Sequence, residues 1–319
     1  MSRILRYQES IIRYIKTKSS YCDIVKPNNI IDTIIDTCDH DVAIILLTVS
    51  NGQLKKKKLK SHNGYYMASG IDLMMSYVMI NDNKLYYEAK FDVFSVNNLI
   101  KKAPIYISDC LGQNLESYDS TVEKPKIIKN HRQLYSYMNK KMLEMASFFD
   151  LQGVEKMKKT DIIKYKFNNK NIIDQKYKKM QYIDKDLLLD YVEKTYGAVC
   201  QCSFVMGWLL GYGDEKSISS LEKLGSSLGI IIKLANDFQN LERDITHSDK
   251  ITYNLIANYG IHECFKLFDE NKLRLLEGCL TLDVYNITIK EVIDNIEKKF
   301  DTNLKNSDLE LASRYSSFS

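Results

Sequence analysis

The sequence is poor in proline and glycine. It contains only 3 Pro and 13 Gly in 319 residues. Because proline breaks helices and glycine weakens them, this scarcity favours long helices. The hydrophobic fraction of 45% and the charged fraction of 27% are ordinary for a globular protein.

The sequence also lacks a strong charge excess and a long apolar run. The formal net charge is +4, from 45 basic and 41 acidic residues, which does not indicate nucleic-acid binding. The one basic run, Lys55–Lys60, is typical of a solvated loop or helix end, with phosphate or membrane-surface contact as the alternative. No uncharged stretch approaches the roughly 20 residues that span a bilayer, and no signal peptide is visible. We therefore expect no transmembrane segment, no nucleic-acid partner and a soluble, cytoplasmic protein.

The seven cysteines show no repeated spacing. Cys200 and Cys202 form C-x-C, but no other close pair completes a zinc pattern. We expect free thiols in a reducing compartment.

Apolar residues recur at helical spacing along most of the chain. We found no hairpin, no βαβ alternation and no repeat of 20–50 residues. Helices are predicted at 5–18, 28–50, 64–80, 94–118, 131–150, 185–212 and 216–245, with two or three more in 250–312. The helix at 185–212 is predicted to be interrupted near Gly197. The stretch Asn81-Asp82-Asn83 is predicted to end one helix, and Pro104 to kink or begin the next. The fold class is therefore all-α, a bundle of about ten helices, with residues 1–319 as one domain.

The stretch NDFQNLERD, residues 236–244, carries a regular polar pattern. Asn236, Asn240 and Asp244 recur every four residues, so they form a ladder that rises about 6 Å per step on one helix face. Oxygen ligands suit Mg²⁺, often shared with phosphates, and Arg243 beside them could pair with a phosphate oxygen. Upstream, Gly225 and Gly229 lie four apart on one face and would let another helix or a ligand approach closely. The alternative is a solvated polar helix end, because two amides make a weaker magnesium site than carboxylates.

This region resembles the second metal-binding helix of the class I isoprenoid synthase superfamily, which includes trans-prenyl diphosphate synthases and class I terpene synthases. Prenyl synthases carry two glycines four apart and then DDxxD; Gly225, Gly229 and residues 236–240 occupy those places. Residues 194–198, KTYGA, resemble the K-T-G-A segment of that family with one inserted residue. Residues 249–253, DKITY, resemble its G-K-x-T-Y segment with Asp for Gly.

The same helix resembles the NDxx(S/T)xxxE motif of terpene synthases. Asn236 and Asp237 match its start, while Asn240 stands for Ser or Thr and Asp244 for Glu. Those enzymes often carry an Arg-Tyr pair near the carboxyl terminus that closes over the diphosphate. This chain has Arg314-Tyr315.

The first aspartate-rich motif of the family, on an earlier helix facing the second, is hard to find. Our best candidate is the helix face of Asp109, Gln113 and Glu116, in which only Asp109 is a clear match. Asp92, near Glu88, is a second candidate.

The resemblance implies a helical bundle around a central apolar cavity, and it leaves three functions open. A prenyl synthase holds a second diphosphate with basic residues, and the segments KLKSHNGYY and STVEKPKII lack the expected Arg-Pro and Arg pair. The favoured prediction is therefore a terpene synthase that ionises and cyclises a linear prenyl diphosphate with release of diphosphate. The resemblance implies farnesyl diphosphate as the substrate. The alternatives are a trans-prenyl diphosphate synthase that elongates the chain with isopentenyl diphosphate, or a degenerate non-catalytic subunit of one.

The resemblance also assigns roles to individual residues, with Asp109, Asn236 and Asp244 as the catalytic set. Three Mg²⁺ ions would be held by Asp109, Gln113, Glu116, Asn236, Asn240 and Asp244. The substrate diphosphate would be bound by Lys194, Arg243, Arg314 and Tyr315. Cavity walls would come from Phe148, Phe204, Trp208 and Phe238, although each is as readily plain core. A homodimer is possible.

Overall fold

The computed structural model describes residues 3–17, 38–59, 64–116, 124–149, 162–163, 182–247 and 253–306. Within these ranges lie twelve α-helices: α1 Arg3–Thr17, α2 Asp41–Lys56, α3 Tyr65–Asp82, α4 Lys84–Lys90, α5 Val93–Glu116, α6 Lys124–Phe149, α7 Lys185–Val192, α8 Ala198–Leu210, α9 Ile218–His247, α10 Leu255–Tyr259, α11 Ile261–Thr281 and α12 Ile287–Asn306. A π-turn, Glu193–Gly197, joins α7 to α8, and a short 3₁₀ turn, Glu215–Ser217, precedes α9. Two two-residue strands, β1 Ile162–Ile163 and β2 Tyr182–Ile183, pair antiparallel. The predicted all-α class is confirmed.

Two apolar helices form the centre of the bundle. All thirteen residues of α8 are buried, and α8 packs on α9, α2 and α6. Helix α3 packs on α5, α2 and α1 and is apolar around most of its circumference. A helix that is hydrophobic on all sides lies in the interior of a protein, and the neighbouring helices pack around these two.

Two glycines let α9 approach its neighbours closely. A Cβ at Gly225 would lie 2.3 Å from the backbone N of Gln201, and one at Gly229 would lie 2.6 Å from the Cα of Gly197. No side chain larger than hydrogen fits at either position. The prediction that this pair allows close helix approach is confirmed.

The π-turn coincides with the residue inserted in KTYGA. A single inserted residue in a helix is commonly absorbed as one π-type turn, often at a functional site. Here the insertion is Tyr196, whose hydroxyl reaches Asp82. The predicted interruption of the helix near Gly197 is therefore confirmed, and it includes the tyrosine whose hydroxyl contacts Asp82.

Other features differ from the sequence prediction or extend it. Helix α2 begins at Asp41, preceded by His40 in the left-handed region at φ 58°; the rest of the predicted 28–50 helix, up to residue 37, lies outside the described residues. Pro104 lies inside α5 and does not begin it. The six cysteines of the described ranges are free thiols. None of the helices that the structure describes is long and apolar enough to cross a membrane.

Candidate active site

Asp82, the last residue of α3, faces α9. The Nζ of Lys233 lies 2.7 Å from Oδ2 of Asp82 and 2.6 Å from Oδ1 of Asp237. The three side chains are 7%, 2% and 3% exposed for Asp82, Lys233 and Asp237. A buried lysine thus bridges two buried carboxylates from two different helices.

Two tyrosines complete the surroundings of Asp82. The hydroxyl of Tyr191, on α7, donates to Oδ1 at 2.8 Å, and the hydroxyl of Tyr196 donates to Oδ2 at 2.9 Å. Burial, and after it the charge of Asp82, raises the pKa of both tyrosines well above the usual value. Both therefore stay protonated and act as donors only.

A chain of polar contacts continues from Asp237 back to α3. Asn254 donates from Nδ2 to the carbonyl oxygen of Asp237 at 2.7 Å and to Oδ2 of Asp244 at 2.9 Å. Arg243 donates to Oδ1 of Asp244 from Nη2 at 3.0 Å and also donates to Oδ1 of Asn83. The contacts form a ring that joins the end of α3, the second half of α9 and the start of α10.

The charge balance inside this ring is negative. One ammonium faces two carboxylates, so the Lys233 cluster (Asp82, Lys233 and Asp237) carries one excess negative charge when all three are ionised. Burial, reinforced by the charge of Asp82 and opposed by Lys233, raises the pKa of Asp237 to about 7. Burial alone would lower the pKa of Lys233, but Asp237 and Asp82 outweigh it and raise that pKa. Lys233 is therefore permanently charged at neutral pH.

The three residues of the predicted ladder on α9 have different neighbours. Asn236 is buried, and its Oδ1 accepts from Nζ of Lys299 at 3.1 Å, on the side of α12. Asn240 is half-buried one turn further along. Asp244 joins the polar ring through Arg243 and Asn254, and the residue of α9 that contacts Asp82 is Lys233, which the ladder does not include.

Asp109 lies far from this cluster. Its Oδ2 accepts from Nε2 of Gln113 at 3.0 Å, and the adjacent Cys110 packs 3.2 Å from a Cβ placed on Gly70. Gly70 precedes Asp82 by twelve residues, about 18 Å along α3 at 1.5 Å per residue. The structure therefore does not bring Asp109 and Gln113 together with Asp244. The side chain of Glu116 lies outside the described residues.

Asp82 and Asn83 are the polar residues of α3 and its carboxyl end that contact α9. The sequence predicts them as a helix stop, which the structure confirms, and in addition Asp82 contacts Lys233 and Asn83 contacts Arg243. In the DDxxD spacing the fifth position is Tyr86, whose ring lies 4.6 Å from the guanidinium carbon of Arg243. The second candidate, Asp92, accepts from the backbone N of Ser95 at 2.7 Å.

The remaining predicted residues are scattered. Lys194 pairs with Asp190 at 2.7 Å and lies 4.5 Å from the ring centre of Phe148. Phe238 packs edge to face on Phe300 at 5.3 Å, and Trp208 donates to the carbonyl oxygen of Asp214. Phe204 is fully buried core. Arg314 and Tyr315 lie outside the described residues.

Two small pockets flank the cluster. One, of about 20 Å³, lies between α3 and α5 and is lined by Leu73, Ser76, Tyr77, Ile80, Leu99, Ile100, Ala103 and Tyr106. None of the four aromatic residues predicted to form cavity walls lines this pocket, because all four pack in the hydrophobic core between helices. The other, of about 50 Å³, lies beside Asn236 and contains the carboxylates of Asp39, Asp41 and Asp72 with His40 and Lys299.

Two titratable side chains that line the second pocket, those of His40 and Asp41, have raised pKa values. Nδ1 of His40 lies 2.7 Å from Oδ2 of Asp72, and both side chains are 2% exposed. Burial opposes the charged imidazole, but Asp72 outweighs burial and raises the pKa of His40. Burial, with the charge of Asp39, raises the pKa of Asp41 to about 7.

Magnesium, which the resemblance implies, does not fit between the two motifs as they stand. The ammonium of Lys233 fills the gap between Asp82 and Asp237. Both carboxylate oxygens of Asp244 already accept hydrogen bonds, from Arg243 and Asn254. Among the residues that the structure describes, no group of three or more His, Cys, Asp or Glu side chains is arranged to hold a metal ion.

Sequence comparison finds short matches to prenyltransferases. No family model matches the chain. A trans-prenyltransferase of African swine fever virus (isolate Pig/Kenya/KEN-50/1950) is 29% identical over 92 residues, 27% of this chain and 28% of that protein. The chloroplastic small subunit of a heterodimeric geranylgeranyl pyrophosphate synthase from Arabidopsis thaliana is 31% identical over 101 residues, 30% and 29% of the two chains. The chain thus matches less than a third of the length of these relatives.

Structure comparison covers nearly the whole chain. The geranyltranstransferase of Thermotoga maritima superposes with a TM-score of 0.61 and 11% identity, covering 93% of this chain and 100% of that one. The geranyltransferase of Helicobacter pylori 26695 gives a TM-score of 0.59 and 12% identity, covering 94% and 99%. The fold that the resemblance to the class I isoprenoid synthase superfamily implied is thereby confirmed: the chain has the fold of trans-prenyl diphosphate synthases.

Proposed function

We propose that this chain is a trans-prenyl diphosphate synthase-like protein that binds a prenyl diphosphate, with chain elongation by isopentenyl diphosphate as its reaction class. The observation that carries the proposal is that the end of α3 faces α9 through two cations: Asp82 faces Asp237 across Lys233, and Asn83 faces Asp244 across Arg243. The named relatives and fold neighbours support elongation over the cyclisation favoured from the sequence alone.

Arg243 is the residue that would hold the diphosphate. Its side chain is 23% exposed, so part of Arg243 is accessible to a ligand. A guanidinium forms paired hydrogen bonds with phosphate oxygens, and its charge stabilises a diphosphate leaving group. Tyr86 stacks against the guanidinium and limits its orientation. Lys194, on the π-turn, adds a second partly exposed cation.

An apolar tail attached to a diphosphate at Arg243 would run along α3 toward the pocket between α3 and α5. That pocket starts at Ile80, within one turn of Asp82, and continues to Tyr77 and Leu73. At about 20 Å³ it has room for about one water molecule. Binding of a prenyl chain therefore requires that side chains such as Tyr77 and Tyr106 move.

The direct test is incubation of the purified protein with Mg²⁺ and dimethylallyl, geranyl or farnesyl diphosphate, with and without isopentenyl diphosphate. Aqueous diphosphates and hexane extracts are both analysed by mass spectrometry. We expect a longer prenyl diphosphate only when isopentenyl diphosphate is present. A hydrocarbon or alcohol made without isopentenyl diphosphate would restore the terpene synthase prediction.

A second candidate function is a non-catalytic partner of an active prenyl synthase. The specific observation is the Lys233 cluster, in which an ammonium offsets one of the two carboxylate charges without a metal ion. The pocket beside Asn236 adds support, because three carboxylates against Lys299 and His40 disfavour a second diphosphate there. The similarity to a small subunit of a heterodimeric synthase also agrees with this candidate.

The partner candidate makes a separate prediction. The chain alone would form no product in the incubation above. When it is co-expressed with an active trans-prenyl diphosphate synthase, the two would co-elute in size-exclusion chromatography, and the product chain length of the synthase would change. Turnover by the chain alone, lost in an Arg243→Ala variant, would exclude this candidate.

A further inference from the structure

The ammonium of Lys233 lies in the gap between the two facing motifs. It contacts one oxygen of Asp82 at 2.7 Å and one of Asp237 at 2.6 Å, and the residue as a whole is 1% exposed. We propose that Lys233 is a built-in cation that takes the place of a divalent metal ion between α3 and α9. This position of the chain therefore needs no Mg²⁺ and excludes it.

The coordination of the two carboxylates supports this assignment. Asp82 accepts from Tyr191 and Tyr196 in addition to Lys233, and Asp237 accepts from the backbone N of Leu255 at 2.7 Å. Every carboxylate oxygen in the cluster thus has a donor, and no buried oxygen is left to recruit a metal. Ammonium and divalent cations compete for the same oxygens, so the covalently attached cation is always present at the site.

Lys233 is held as a charge and does not serve as a nucleophile. Its ammonium lies 5.4 Å from the ring centre of Tyr196, a cation–π distance, and both carboxylates favour the protonated form. A lysine nucleophile needs a depressed pKa, whereas that of Lys233 is raised. The remaining role is electrostatic: Lys233 joins α3 to α9 and neutralises part of the charge that a metal would otherwise neutralise.

The test compares thermal unfolding of the wild-type chain and Lys233→Gln in EDTA and over a titration of MgCl₂ or MnCl₂. We expect a melting temperature of the wild type that does not change with divalent ion. Lys233→Gln leaves two buried carboxylates without a counter-charge, so it should melt lower in EDTA and rise in a saturable way with Mg²⁺ or Mn²⁺. Lys272→Ala is the matched control, because Lys272 pairs with the single carboxylate of Glu297 and its loss should give no such rescue.

A second measurement keeps the inference testable if Lys233→Gln does not fold. Binding of Mn²⁺ to the wild-type chain is measured by electron paramagnetic resonance, in which the signal of free Mn²⁺ decreases as the ion binds. We expect no binding that depends on Asp82. Stoichiometric Mn²⁺ binding by the wild type that is lost in Asp82→Asn would overturn the proposal, as would a folded Lys233→Gln that ignores divalent ions.

These titrations contain no prenyl ligand. The inference rests on the proposed function only for the expectation that a diphosphate binds at this end of the bundle. A negative elongation assay would therefore leave the metal result intact. Conversely, Mg²⁺ binding by the wild type would remove the inference without touching the proposed function.

Discussion

Asp82 and Lys233 are 151 residues apart in the chain, and their side chains meet at 2.7 Å in the buried space between α3 and α9. The contact joins the two helices that carry the facing polar motifs. Because each partner is buried, removing one leaves the other without compensation.

We predict that Asp82→Ala lowers the free energy of unfolding by about 3–5 kcal/mol, the range for breaking a buried ion pair. The substitution also leaves the hydroxyls of Tyr191 and Tyr196 without their acceptor. Urea denaturation measures the loss. Glu263→Ala, which breaks an exposed pair with Lys185, is the control and should cost less than about 1 kcal/mol. Equal effects of the two substitutions would mean that the Lys233 cluster contributes nothing special to stability.

The glycine pair of α9 gives a second prediction. Gly225→Ala and Gly229→Ala would each place a Cβ inside the backbone of the preceding helical segment, at 2.3 Å and 2.6 Å from its atoms. We expect each to lower the free energy of unfolding by about 3 kcal/mol, the upper end for overpacking. Gly52→Ala is the control, because a Cβ there meets nothing within 4 Å and α2 should gain about 0.5–1 kcal/mol. Urea denaturation measures the free energy of unfolding of all three variants. If Gly229→Ala is as stable as Gly52→Ala, the packing argument is wrong.

Local patterns missed α4 and placed residues 38–40, which precede α2, inside a helix. They were sufficient to predict most of the other helices, the close approach at Gly225 and Gly229, and the interruption near Gly197. Each depends on residues within a few positions of one another, where periodicity and side-chain size decide the structure. The fold class follows from the same patterns, because a chain with few proline and glycine residues contains few residues that interrupt helices.

The pairing of α3 with α9 could not be predicted in this way. Which residues oppose Asp237 depends on the rotation and axial shift of two helices more than 100 residues apart. One signal was nonetheless available in the sequence: Lys233 interrupts the apolar run GIIIKLA four residues before Asp237. A buried lysine needs a carboxylate partner, and Asp237 at i+4 lies on the same helix face. The sequence therefore indicates the pair of Lys233 with Asp237, whereas the second partner, Asp82, is visible only in the structure.

Stability should fall as pH rises through neutrality. The raised pKa of His40 means that its pair with Asp72 stabilises fully below pH about 6.5, and that this contribution is lost as pH rises through the folded-state pKa. Asp41 and Asp237, both raised to about 7 from an unfolded value of 3.8, hold protons more tightly when folded. The two aspartates therefore lower the free energy of unfolding as pH rises from about 4 to about 7, and His40 lowers it as pH rises above about 6.5.

Urea denaturation between pH 5.5 and pH 8.5 checks this slope. Asp72→Asn removes the carboxylate that raises the pKa of His40, so its profile should be flatter over the same window. The carboxylates with lowered pKa values, Asp92 and Glu263, change stability only at acidic pH and do not interfere. A wild-type stability that rises from pH 6 to pH 8 would contradict the assignment.

The last prediction concerns the anion site. Arg243 is held by Asp244 and Asn83, and its side chain is partly exposed. Arg243→Ala should therefore weaken the binding of inorganic diphosphate about 10-fold to 100-fold, which corresponds to the loss of one or more charged hydrogen bonds. Asp244→Ala should weaken it less, because Arg243 keeps its contact with Asn83. Isothermal titration calorimetry measures both, and Arg274→Ala, an arginine paired at the surface with Glu270, is the matched control. If Arg243→Ala and Arg274→Ala bind diphosphate equally well, the anion site lies elsewhere, and the proposed orientation of the prenyl chain along α3 fails with it.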